Sequence, residues 1–192
     1  MYTKYIVIVG SSTGGFSTVE GLFPSASKLN ACFIVVQHML KSVNLPFKNY
    51  LRGITDMEVK IAEDGDTLEA GKVYIAPSGL HLKIEENKRI RLFNDEKVNA
   101  TRPSIDVSMK SLKEIPGNTI IGVVLTGMGK DGAEGISHIK NIGGITIAQD
   151  KDTSVIFGMP GAAIETGDID FSLPPEKIRE KLIEIAGILN SE

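Results

Sequence analysis

The stretch Ile6-Val-Ile-Val-Gly-Ser-Ser-Thr-Gly-Gly15 runs from an unbroken apolar segment into a cluster of glycines and hydroxyls. Tyr5–Val9, in which two isoleucines alternate with two valines, reads as a strand covered on both faces. The small residues that follow read as a tight turn into a helix. A strand, a glycine-rich turn and a helix in that order are the opening unit of an α/β fold. Three uses of such a turn compete. It can be a plain connection, it can cradle a phosphate, or it can raise a serine above the sheet as a nucleophile.

The rest of the chain repeats the opening pattern. Cys32–Gln37, Ile120–Leu125 and Ile145–Gln149 are apolar runs of strand length, and each lacks strict alternation. Helical segments are expected at Phe16–Leu22, Pro46–Leu51, Ser104–Ile115, Gly132–Ile142, Pro160–Thr166 and Glu176–Leu189. The last of these carries Ile178, Leu182, Ile185 and Leu189 at helical spacing behind Pro174 and Pro175. Between them, Gly71–Phe93 breaks into three strand-like pieces separated by Pro-Ser-Gly and Glu-Glu-Asn-Lys, the pattern of a small antiparallel meander. The expected fold is therefore a doubly wound, mostly parallel sheet with helices on both faces and a small antiparallel insertion. With no repeat, low-complexity tract or linker, residues 1–192 read as a single domain.

Composition narrows the function. The chain has 192 residues, 42% hydrophobic and 23% charged, with a formal net charge of −3. That balance provides no global basic field for nucleic acid or anionic lipid. No apolar run approaches the ~20 residues of a membrane span, and the N-terminus lacks a secretory leader. One cysteine, Cys32, forms no internal disulfide and reads as core packing, so a reducing cytoplasm is the expected compartment.

Gly10-Ser11-Ser12-Thr13-Gly14 matches G-x-S-x-G with Ser12 at its centre. The phosphate reading fits less well, because the run is not G-x-G-x-x-G and Phe16 stands where a Walker loop needs lysine. A serine nucleophile needs a base. His38 follows the second strand directly, whereas His81 falls in the meander and His138 in a helix, where structural or surface roles are expected. A third strand end, Val123–Gly135, supplies Asp131 in a loop with Gly127, Gly129 and Gly132, whose backbone N–H groups could serve an oxyanion. Asp131 fits equally as an N-cap of the helix that follows. Serine, histidine and aspartate then occur in a chain order different from that of ordinary α/β-hydrolases, which leaves triad chemistry intact. Glu63–Asp66 and Asp168–Phe171 lack a histidine pattern for metal binding and read as turns.

Taken together, VGSSTGG, VVQHM, AEDGDTLEAGKVYIAPSGLHL, RPSIDVSMKSL, VVLTGMGKDGAEG and VIFGMPGAAIETG resemble, in order and nearly end to end, the catalytic domain of the CheB family of bacterial chemotaxis protein-glutamate methylesterases. The resemblance implies Ser12 as nucleophile, His38 as base and Asp131 as orienting acid. It places Thr13 and the backbone N–H of Met128 in the lining of the site, the latter as an oxyanion donor. It further implies hydrolysis of glutamate 5-O-methyl esters on the cytoplasmic helices of chemoreceptors, and deamidation of receptor glutamines, with no cofactor or metal. The alternatives are a binding module that grips a partner or phosphate on the same fold, and a small-molecule serine esterase. Two departures from the family pattern stand out. The catalytic strand starts five residues in, so no receiver domain is expected and control would fall to the substrate or to a separate regulatory protein. The residues before RPSID read Val98-Asn-Ala-Thr101, where the family leads one to expect a more basic stretch with histidine.

Overall fold

The structure, a computed structural model, describes residues 3–24 and 27–189. Its frame is a seven-stranded parallel sheet formed by β1 (Tyr5–Ser11), β2 (Cys32–Gln37), β3 (Glu58–Ile61), β4 (Lys72–Ile75), β7 (Thr119–Val124), β8 (Ile145–Gln149) and β9 (Phe171–Leu173). The strand order is β3-β4-β2-β1-β7-β8-β9. β1 is central and pairs in parallel with β2 from Ile6↔Cys32 to Ser11↔Gln37, and with β7 from Tyr5↔Thr119 to Gly10↔Val124. The chain builds outward on one side of β1 and then returns to build on the other. The carboxyl ends of β2, β1 and β7 therefore flank the point where winding reverses, which is where open α/β sheets place their sites.

Both faces of the sheet are covered. Val7, Val9, Phe33, Val35, Ile121 and Val123 pack against α1 (Gly15–Glu20), α2 (Asn44–Arg52) and α6 (Pro175–Ala186). Ile6, Ile8, Ile34, Val36, Ile120 and Val124 point the other way, toward α3 (Ile105–Lys110), α4 (Ala133–Asn141) and α5 (Gly158–Glu165). Every residue of β2 is buried, which is why its sequence shows no polar alternation. Cys32 packs in this core as expected, and burial pushes its thiol above the ordinary range.

The meander is smaller than the sequence suggested. Only β5 (His81–Ile84) and β6 (Ile90–Phe93) form an antiparallel pair, while the first of the three pieces, β4, lies between β3 and β2 in the parallel sheet. The reason is burial: Val73, Tyr74 and Ile75 are all inside, whereas Lys83 on β5 and Arg91 on β6 reach solvent. The edge strands β3 and β9 carried no clear signal, and Phe171, assigned to a turn by its sequence, opens β9. α3 is also shorter than its sequence span: the Ser111 hydroxyl donates to the Ser108 carbonyl and accepts the Ile84 N–H, and the helix ends there.

Candidate active site

Three turns at the carboxyl ends of β1, β2 and β7 build the site. After Ser11 the chain leaves the sheet, with the Ser12 N–H donating to the Thr126 carbonyl at 3.0 Å. Gly14 takes φ 81°, a left-handed conformation that glycine adopts without cost, and this starts α1. The first of the two serines points inward: Ser11 is fully buried and donates to Gln37 Oε1 at 2.5 Å. Ser12 faces an open cleft of about 590 Å³ whose lining includes Thr13, Gln37, His38, Leu40 and Tyr50.

Gln37 ties the first two turns together. Its Nε2 donates to the carbonyls of Ser12 and His38, each at 2.9 Å. The third turn is fixed to the first by Thr126, whose hydroxyl lies 2.9 Å from the Thr13 carbonyl. Gly127 then passes so close to the first turn that a Cβ on it would lie 2.7 Å from the Ser12 Cβ. Met128 follows with its side chain exposed, and its backbone N–H has no partner among the described residues.

His38 Nε2 lies 2.9 Å from Asp131 Oδ2. The acid therefore engages Nε2 and leaves Nδ1 as the other ring nitrogen. Asp131 is 3% exposed and receives a dense set of donors. Oδ2 also accepts the Ile105 N–H at 2.7 Å, and Oδ1 accepts the Ser104 hydroxyl at 2.8 Å, the Asn99 amide at 2.9 Å and the Asp106 N–H at 3.1 Å. Burial alone would raise this carboxyl, but its donors, His38 foremost, outweigh burial and hold it well below the usual carboxylate range. The second expectation for Asp131, an N-cap of the following helix, does not hold. Gly132 occupies that position at φ 103°, and Asp131 instead binds the first N–H groups of α3. Asp106 on α3 supplies the cap of α4, accepting Gly132 N–H at 2.9 Å and Gly135 N–H at 2.8 Å.

The structure thus brings His38 and Asp131 into contact and sets Ser12 and Thr13 on the same cleft as His38. Met128 directly follows Gly127, the residue that packs against Ser12. The remaining histidines are elsewhere: His81 Nε2 contacts the Glu96 carbonyl at 2.8 Å and His138 Nε2 the Leu112 carbonyl at 2.7 Å. Sequence reasoning passed over Gln37, Thr126, Asn99, Ser104 and Asp106. The one available hint was Ser104 with Asp106 at a helix start, since a serine N-cap is visible in sequence but its distant partner is not.

A buried aspartate on a histidine that shares a cleft with a serine, at the carboxyl edge of a parallel sheet, is the set of residue types that serine hydrolases use. The CheB methylesterase family model matches residues 7–182. A protein-glutamate methylesterase/protein-glutamine glutaminase from Pyrococcus horikoshii is 42% identical over 190 residues, covering 97% of this chain and 52% of that protein. Its counterpart in Archaeoglobus fulgidus is 40% identical over 190 residues, covering 97% and 54%. The crystal structure of the Thermotoga maritima CheB methylesterase catalytic domain superposes with a TM-score of 0.86 at 41% identity, covering 97% of this chain and all of that one. The chain belongs to the CheB methylesterase family. It spans about half the length of the curated relatives it matches. Among the described residues no helix is long and apolar enough to cross a membrane.

Proposed function

We propose that the chain hydrolyses glutamate 5-O-methyl esters on the cytoplasmic helices of chemoreceptors through a Ser12-His38-Asp131 triad. The observation that carries this reading is the 2.9 Å contact between His38 Nε2 and Asp131 Oδ2, on a histidine that shares its cleft with Ser12. Asp131, fully ionised, fixes the proton on Nε2 and leaves the Nδ1 lone pair to act as base.

Ser12 Oγ attacks the ester carbonyl carbon as its proton passes to His38 Nδ1. The tetrahedral oxyanion is met by backbone donors: the unpartnered N–H of Met128, and that of Thr13, which follows the nucleophile. Collapse breaks the carbon–oxygen bond to the methoxy group, which leaves as methanol with the proton from His38. Water, deprotonated by His38, then attacks the acyl-enzyme and releases free glutamate and Ser12. A glutamine side chain follows the same course with ammonia as leaving group, so deamidation belongs to the same site. The buried Asp131 stabilises the imidazolium that forms twice in each cycle.

The open shape of the cleft supports a side chain presented on a protein surface, since a long ester arm can enter while its backbone stays outside. Methanol release from a receptor cytoplasmic fragment carrying methyl-esterified glutamates tests the reading. Turnover by the parent chain and none by Ser12→Ala is the expected result. Equal release by both would overturn it.

A further inference from the structure

Val98-Asn99-Ala100-Thr101 forms a two-residue hairpin turn. The Val98 N–H donates to the Thr101 carbonyl at 3.2 Å, and the Thr101 N–H returns a bond to the Val98 carbonyl at 3.0 Å. Both central residues are left-handed, with φ 53° at Asn99 and 61° at Ala100, the type I′ arrangement. Asparagine accepts that conformation more readily than most residues, whereas alanine is strained there. A strained turn persists where its surroundings over-determine it.

The surroundings here are two carboxylates. Asn99 Nδ2 lies 2.9 Å from Asp131 Oδ1 and 2.8 Å from Asp106 Oδ2, so its two hydrogens serve one carboxylate each. Asp106 and Asp131 are both buried, at 4% and 3% exposure. Burial raises the Asp106 carboxyl, and the nearby charge of Asp131 raises it further, while the Gly135 N–H and the Asn99 amide pull it down. The carboxamide is the one side-chain donor common to both groups among the described residues.

From this geometry we infer that Asn99 is a positioning residue, whose carboxamide bridges Asp106 and Asp131 and thereby holds the acid in line with His38. The physical case is that two buried carboxylates with no donor between them repel. Asp131 Oδ2 is the atom that faces His38, and Oδ1 of the same rigid group is the atom held by Asn99. Any rotation that separates Asp131 from Asp106 therefore also misaligns the bond to His38. The Thr101 hydroxyl, 3.2 Å from Asp131 Oδ2 and 3.0 Å from the Val98 carbonyl, couples the same turn to the same oxygen.

This role rests on the Ser12-His38-Asp131 reading, so its test needs a signal that does not depend on turnover. Asn99→Gly removes the carboxamide but keeps a residue at ease in the left-handed turn, which separates positioning from turn formation. Steady-state kinetics on the methyl ester should show kcat reduced about tenfold or more with KM within about twofold, since both bonds of the carboxamide to charged groups are lost. The low-field proton NMR resonance of His38 Nε2–H, read on the whole chain, should move or broaden, while the ring signals of His81 and His138 stay in place. Asn99→Asp, nearly isosteric, sets a third acceptor between two others and should perturb the His38 signal at least as much. It also serves if the glycine variant folds poorly. Ala100→Gly, which relieves the strain alone, should keep parent kcat and parent spectrum. An unchanged His38 resonance in Asn99→Gly or Asn99→Asp, with only the melting temperature lowered, would reduce Asn99 to a turn residue and overturn the inference. A shifted resonance without any esterase turnover in the parent would keep the positioning role and sink the esterase reading instead.

Discussion

Asp131 and Asp106 cap each other's helices. Asp131, on the loop before α4, takes the first N–H groups of α3, and Asp106, in the first turn of α3, takes the Gly132 and Gly135 N–H groups at the start of α4. The acid that faces His38 is thus held by the fold itself, and the two helices are fixed to each other by the same exchange. Alignment of the His38–Asp131 contact and the packing of the two helices then depend on one pair of carboxylates.

Acid stability follows with a definite sign. Asp131 sits well below the usual range in the native chain, so it binds its proton later than the unfolded carboxyl, which titrates near about 3.9. Its contribution is complete above that value and is lost as pH falls through and below it. Asp106 has a raised native value and works in the opposite sense, favouring the native state during the first part of acidification. The melting temperature of Asp131→Asn should start lower than the parent's at pH 7 and fall less between pH ~5 and ~3. Equal losses over that interval would show that Asp131 is not the linked group.

The two adjacent serines should separate cleanly. Ser12→Ala should reduce kcat by roughly a thousandfold or more with the fold intact, and adding His38→Gln should cost little further, because members of a triad act as a unit. Ser11→Ala leaves the Oε1 atom of buried Gln37 without its hydroxyl donor and should cost about 1–3 kcal/mol of stability while keeping most of the turnover. Denaturant unfolding together with the methanol assay measures both. The reverse pattern would exchange the two roles.

Gln37 is the joint between the first two turns, and it is 1% exposed. Gln37→Glu keeps the size but sets a carboxylate oxygen against the Ser12 and His38 carbonyls, where the amide now donates. Loss of at least about 3 kcal/mol of stability is expected at neutral pH. Gln37→Met, which brings no charge, should lose less. If the glutamate variant melts with the parent, the bridge has no energetic weight.

Gly127→Ala should act on the nucleophile directly. The added methyl would fall 2.3 Å from Met159 Sδ, which can move, and 2.7 Å from the Ser12 Cβ, which is anchored by its own backbone. A fall in kcat of about tenfold or more is expected, since displacement by a fraction of an ångström is costly at a reacting atom. Parent turnover in this variant would mean that the Ser12 turn yields without penalty.

The central strands were readable because β1, β2 and β7 are largely apolar and each runs into a polar or glycine-rich turn, and those turns carry Ser12, His38 and Asp131. Periodicity could not place β4, since Lys72–Ile75 looks alike whether it pairs with a meander or enters a parallel sheet. Nor could it reveal β9, three residues long at an edge with two of them exposed. The support around Asp131 was hidden for a different reason. Asn99, Ser104 and Asp106 lie at least 25 positions away in sequence, and only the packing of α3 against the β7–α4 loop brings their donors to it. Gln37 was overlooked because it closes an apolar strand, where an amide looks like an ordinary end residue.

A nucleophilic Ser12 needs His38 to take up its proton. Intact-mass and peptide mass spectrometry after exposure to a serine-directed fluorophosphonate reads this most directly. One adduct on Ser12 is predicted, absent from Ser12→Ala and formed far more slowly in His38→Gln. An adduct on Ser11, or equal labelling of Ser12 with and without His38, would contradict it.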